Sequence, residues 1–341
     1  ESLADRGHSV VIANLKTTKN KTDYERELSS NILVYTIKKP PANKNKNIHY
    51  IKEIKKIGKE HNSEIVIGFT GFPNMYARIV GTMLKIPSIM SERGDPSRTN
   101  NKSFKSRIMR FIINCSKGGV FQTEGAKNYF GKGLQKRGII IPNPIFIKGK
   151  IPNVRQCERE KTVVTVGRLD NKQKRYDIML QAFKIFSEKH SDYVLKIYGR
   201  GMDEDKIRKW ASELGISEKV HFMGLTTQPM RDIAKDGMFL ITSDYEGISN
   251  SLLEAMAVGL PCVSTDHTPG GARLLISDHE NGLLAPIGNP IKIAECMCEF
   301  AENPVLAEKC GNNARDVTNR FEPKKIIDMW ENYILSICNR S

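Results

Sequence analysis

Short runs of apolar and β-branched residues alternate with amphipathic stretches along this 341-residue chain, and near its middle the alternation begins again. Residues 9–13, 31–37, 65–69, 87–90, 119–122 and 139–141 read as strands, bounded by turn-forming residues. Helical spacing occupies 48–61, 74–84 and 104–114 between them. After residue 160 the pattern returns, with strands at 162–166, 193–198, 220–222, 238–242 and 261–264. Helices at 177–189, 204–214, 251–257 and 292–302 separate those strands. Alternation of this kind predicts an α/β protein of two Rossmann-like, doubly wound domains with parallel sheets, facing each other across a cleft.

Between the halves, Pro142 to Glu160 has no periodicity and holds Pro142, Pro144 and Pro152. The expected organisation is a first domain over 1–145, a linker over 146–160 and a second domain over 161–322. A helix over 323–341 is expected to pack back on the first domain. The chain opens with what reads as a helix end stopped by Gly7, followed by a strand. A doubly wound domain starts one strand earlier, so its first strand is expected to precede Glu1.

Charge divides the chain too. Residues 1–150 carry 28 Lys and Arg against 11 Asp and Glu, a net +17; residues 151–341 hold 25 against 27, a net −2. The first domain should therefore face something anionic: nucleic acid, an acidic membrane surface or a phosphorylated substrate. Nucleic acid lacks support, because no aromatic stacking platform or recognised binding motif is present. From Asn101 and Lys102 onward, Lys105, Arg107 and Arg110 interleave with Phe104, Ile108, Met109 and Phe111, as in helices that lie in a membrane interface. The plainer alternative is a helix facing the core with a basic solvent side. No window approaches the ~18 apolar residues of a membrane span. The favoured expectation is a cytoplasmic protein, peripheral on the anionic inner face of the plasma membrane. The seven Cys and seven His lack metal-ligand spacing, and Asp203-Glu204-Asp205 opens a helix, where the dipole favours acids. Neither a metal nor a cofactor is expected.

Candidate chemistry gathers in the second half. Glu246 follows a strand end, Gly247 allows close backbone approach, and Ser249 or Asn250 can cap a helix that carries Glu254. Such a loop presents backbone N–H groups, including that of Ile248, and a helix N-terminus where anions bind. A carboxylate at Glu254 can accept hydrogen bonds from a ribose diol. After the preceding domain's linker, Gly167-Arg168-Leu169 ends a strand, and Lys174 follows. Arg168 can grip a phosphate with two N–H groups, and Lys174 adds a compact charge.

Glu246 to Glu254 with the following Ala255 to Pro261, Gly167-Arg168-Leu169 with Lys174, Gly270-Gly271, and Asn281 to Pro286 together resemble retaining glycosyltransferases of family 4. That resemblance runs from about Leu3 to the last helix. It implies the GT-B fold and transfer of a sugar, with retention, from a nucleoside diphosphate donor. The donor is expected to be a UDP-hexose or UDP-N-acetylhexosamine. The acceptor is expected to be a saccharide or polyprenyl-diphosphate-linked glycan in bacterial surface polysaccharide synthesis. By the resemblance, Arg168 and Lys174 hold the diphosphate and Glu254 the ribose. Glu246 lies against the transferred sugar as the catalytic candidate, with Gly247, Ile248, Ser249 and Asn250 beside it. Where relatives carry His after Ser-Glu in the first domain, this chain has Arg93, which can bind a phosphate. It also has Leu274 and Arg200 where relatives often carry acids. A sugar-nucleotide epimerase of the same architecture is the alternative reading.

Overall fold

The computed structural model describes residues 1–15, 28–43, 45–98, 103–147, 149–150, 154 and 158–339. Asn101, Lys102 and half of the expected linker lie outside the described residues. The chain forms two compact units. One comprises Glu1–Phe121, Ala126–Ile141 and Lys324–Ser341; the other comprises Gln122–Gly125 and Pro142–Pro323.

In the first unit, β1 (Val11–Asn14) and β2 (Leu33–Thr36) pair in parallel. β3 (Val66–Phe69), β4 (Ser88–Glu92), β5 (Gly118–Phe121) and β6 (Gly138–Ile140) form a second parallel sheet in that order. Successive side chains of a strand point to opposite faces, so neighbours in sequence enter different cores. Met90 and Phe121 join Tyr50, Tyr76 and Leu134 on one side. Ile89 and Val120 join Ile326 and Ile337 of the Pro323–Cys338 helix on the other. That helix is also tied to the sheet by Tyr333, whose hydroxyl accepts from the Gly119 N–H at 2.8 Å and donates to the Arg137 carbonyl.

The second unit holds one six-stranded parallel sheet. Its strands are β7 (Thr162–Val166), β8 (Val194–Tyr198), β9 (Val220–Gly224), β10 (Met238–Ile241), β11 (Cys262–Thr265) and β12 (Leu283–Ala285). They lie in the order β9-β8-β7-β10-β11-β12. Counted within the unit this is 3-2-1-4-5-6, the Rossmann order, which reverses direction between β7 and β10. β7 and β10 are buried along almost their whole length, as strands covered by helices on both faces must be. Val163 and Leu240 pack with Phe183, Phe186 and Met297; Val164, Phe239 and Ile241 pack with Leu252, Met256 and Phe321. The short β12 and the Pro304–Ala314 helix were not separable from loop by periodicity in the sequence.

Candidate active site

In a doubly wound sheet, ligands bind beyond the C-terminal strand ends where the order reverses. Here the loops that follow β7 and β10 meet at that place. After β7 the chain runs through Gly167 and Arg168 into a single helical turn, Asn171–Lys174. Asp170 caps this turn by accepting from the Lys172 N–H at 3.1 Å. Asp203 buttresses it, accepting from the Asn171 N–H at 2.8 Å. The acid of the Asp-x-Asp triplet therefore supports the loop rather than opening toward a cation.

After β10, Asp244 donates its N–H to the Gln173 carbonyl, and its carboxylate holds Arg175 at 3.0 Å. Thr242 donates its hydroxyl to the Lys174 carbonyl at 2.8 Å. These contacts bring Lys174 onto Glu246: the ammonium and the carboxylate form an ion pair in which both side chains are largely buried. Ser243 donates a second hydrogen bond to the same carboxylate oxygen at 2.9 Å. Arg168, by contrast, is exposed and donates to the Gln173 side-chain carbonyl at 3.4 Å. An open guanidinium and a half-enclosed ammonium border one loop pair.

The second wall is the segment after β11. The Glu246 N–H donates to the Thr268 carbonyl at 2.8 Å, and Tyr245 pairs with Thr268. Gly270 sits at φ +96°, a left-handed conformation that favours glycine, and starts the Gly271–Leu275 helix. A Cβ on Gly271 would stand 1.6 Å from the Gly247 carbonyl oxygen, so only glycine lets these loops cross. Replacing Gly271 by Ala should therefore unseat the Glu246 loop; a melting temperature and nucleotide affinity equal to wild type would refute that.

The Asn250–Ala257 helix begins at Ser249, whose hydroxyl caps the Leu252 N–H. The Ile248 N–H is already taken by Gln122, at 3.0 Å. Gln122 also donates to Asn143, which donates to Asn250 at 2.8 Å. Among the described residues the N–H groups of Gly247, Ser249 and Asn250 have no acceptor, so the anion-attracting end of the helix is open. Glu254, one helical repeat further on, is half-buried without an ion-pair partner among the described residues; burial pushes its carboxyl up to about 7. Beside these loops runs a groove lined by Gly167, Arg168, Tyr198, Gly199, Leu225 and Thr226.

Residues 148–317, nearly the whole second unit, match the family Glycosyl transferases group 1. This unit is a group 1 glycosyltransferase domain. It is 24% identical over 334 residues to an uncharacterized glycosyltransferase of Haemophilus influenzae, covering 97% of this chain and 92% of that one. It is 32% identical over 168 residues to a Campylobacter jejuni N-acetylgalactosaminyltransferase named for a diphospho-undecaprenol acceptor, covering 49% of this chain and 45% of that protein. HepE of Anabaena, solved with UDP and glucose, superposes with a TM-score of 0.81 over 96% of this chain and all of its own, at 16% identity. Staphylococcus aureus TarM, solved with UDP, gives 0.70 over 85% of this chain and 59% of its own, at 23% identity. At such identities the likeness shows the fold, which is GT-B, with two Rossmann-like units.

In this glycosyltransferase, Arg93 lies in the first unit, away from the residues just described in sequence and in unit. It follows β4, donates to the Ile141 carbonyl at 3.1 Å and lies 5.9 Å from the Trp330 ring centre. Burial lowers its pKa to about 10, which leaves it cationic at neutral pH. The basic helix, Phe104–Asn114, has one correction to make. Lys105 and Arg107 face solvent, but Arg110 turns back over the Tyr129 ring at 5.4 Å and donates to its hydroxyl. Residues 104, 108 and 111 then form an exposed apolar stripe, while Met109, Ile112 and Ile113 enter the core.

Sequence reasoning missed three groups of the second unit: Gln122, Ser243 and His267. None belongs to a motif, and only the parallel pairing of β7, β10 and β11 draws the last two to Glu246. The described residues also bring His190, Cys298 and Glu302 within 4.8 Å, a trio hidden by their separation in sequence. Burial raises the Cys298 pKa and keeps a thiol there, while His190 stacks on Phe186 and bonds Glu302. This trio is held by protein contacts and lies apart from the loops after β7 and β10.

Proposed function

We propose that the second unit binds a UDP-sugar and that the enzyme transfers the sugar with retention to a saccharide or polyprenyl-diphosphate-linked acceptor. The observation that carries this reading is the Lys174–Glu246 pair beside Arg168 and Glu254 at the reversal of strand order. Arg168, Lys174 and the open helix N-terminus supply positive potential where a diphosphate leaving group gains charge. Glu254 accepts from the ribose hydroxyls. The groove at Tyr198 and Leu225 suits a flat base. Glu246 lies against the sugar, able to orient a hydroxyl or stabilise an oxocarbenium-like carbon. The undecaprenol-linked substrate in the name of the Campylobacter relative supports the acceptor class.

The first unit offers acceptor contacts of its own. Phe69, half-exposed, stands 6.1 Å from the Trp330 ring, with Arg93 beside it. Aromatic faces suit the apolar side of a sugar ring, and a guanidinium suits a phosphate. Incubation with a panel of UDP-sugars, with and without a polyprenyl-diphosphate saccharide, tests the reading. Acceptor-dependent release of UDP supports transfer; turnover of the donor alone to an epimer supports the alternative.

With two cations at the diphosphate, catalysis proceeds without a divalent metal. Turnover should survive EDTA; loss on chelation with recovery by Mg²⁺ or Mn²⁺ would overturn this. Among the described residues no helix is long and apolar enough to cross a membrane. The enzyme instead docks on anionic lipid at the cytoplasmic leaflet through the Phe104, Ile108 and Phe111 stripe, flanked by Lys105 and Arg107. At about 1 kcal/mol per basic side chain, neutralising Lys105 and Arg107 should lower binding to phosphatidylglycerol vesicles roughly 30-fold. Unchanged sedimentation would return this helix to a purely structural role.

A further inference from the structure

The strongest unexplained group in the second unit is the imidazole of His267. It is 1% exposed, and among the described residues neither ring nitrogen has a partner at hydrogen-bond geometry. Leaving such a group unpaired forfeits its hydration without return, so an apolar residue would serve a merely structural role better. Its surroundings are specific. Cε1 lies 3.2 Å from the point a Gly271 Cβ would occupy, beneath the crossing of Gly271 over Gly247. The next residue, Thr268, accepts the Glu246 N–H. The groups that act on the ring are Glu246 from the β10 loop, the backbone of Thr268, Lys174 from the β7 loop and Asp266 from its own segment. Burial dominates them and lowers the imidazole pKa, leaving a neutral ring with one N–H to donate.

Glu246, meanwhile, is held by Lys174 and Ser243. If the diphosphate of a donor draws Lys174 to itself, that carboxylate keeps only a hydroxyl, in a site where a lone buried charge is costly. We propose that donor binding exchanges the partners of Glu246: Lys174 moves to the diphosphate, and a ring N–H of His267 takes its place on the carboxylate. His267 is then a positioning residue, which keeps the Glu246 side chain aimed during transfer. The inference rests on the donor reading above and adds to it a partner for each state of the site.

Histidine ¹⁵N NMR of the full chain tests it, with the His267→Asn spectrum assigning the resonance among the seven histidines. Adding UDP should shift the ring nitrogens of His267 toward a hydrogen-bonded donor. Ligand-free Lys174→Met should already show that shift, since its Glu246 has lost the ammonium. His267→Phe should lower kcat at least 10-fold with less than 3-fold change in donor KM, and His267→Asn, which retains an N–H, should recover part of the loss. An unmoved His267 resonance at saturating UDP, with UDP binding shown by calorimetry, overturns the exchange. No UDP binding by the wild type overturns the donor reading itself, a distinct result.

Discussion

Lys174→Met should reduce turnover about 10²–10³-fold, the usual cost of removing one fixed donor from developing negative charge. Arg168→Ala should cost less in kcat and more in diphosphate affinity. The difference follows from their settings: Lys174 is held at the site by the backbone contacts of its turn, whereas Arg168 extends into solvent and loses mobility on binding. Uridine, which has no phosphate, should bind both variants as it binds wild type. Removing Lys174 also strips Glu246 of its cation, so the variant should melt lower. Steady-state kinetics, calorimetry and thermal melts check these outcomes. Wild-type kcat in Lys174→Met would withdraw the lysine from the chemistry.

That pairing marks where sequence stops and structure begins. Lys174 and Glu246 were both legible as site residues, because each follows an apolar strand and leads into a helix. Their contact was not, since 72 positions separate them and nothing in spacing tells that β7 and β10 are neighbours. Gly271 was recognisable through its glycine pair, yet the reason for it, a backbone crossing over Gly247, is purely three-dimensional. Arg110 shows the converse. Helical spacing groups it with Lys105 and Arg107, but Tyr129, in the turn just after the Glu124–Asn128 helix, captures it. His267 carries no motif at all; its significance comes from burial among charged neighbours. Strand alternation, being local, conveyed the two parallel domains well. β12 escaped because its three residues are too few to display a period.

Glu254 should make both stability and nucleotide binding depend on pH. Burial alone raises its pKa from 4.5 to about 7, so the folded protein favours the neutral carboxyl. For a raised acid the contribution to stability is complete below the unfolded value and is lost as pH rises through the folded one. The ligand-free enzyme should thus lose roughly 2–3 kcal/mol from this residue between about pH 4.5 and pH 8, part of the charge being screened by solvent. Glu254→Gln, neutral throughout, should lack this slope and should gain on wild type as pH rises. Ribose hydroxyls act in the opposite sense. By donating to the carboxylate they pull its pKa back down, so binding expels a proton wherever the free enzyme is protonated. If the bound group returns to its ordinary pKa, affinity at pH 5.5 should be roughly 30-fold weaker than at pH 8. The ionisation of UDP itself near pH 6 is common to both proteins, so the comparison with Glu254→Gln isolates the side chain. Calorimetry in two buffers of different ionisation enthalpy would count the proton directly. Equal pH profiles for the two proteins would remove Glu254 from the nucleotide site.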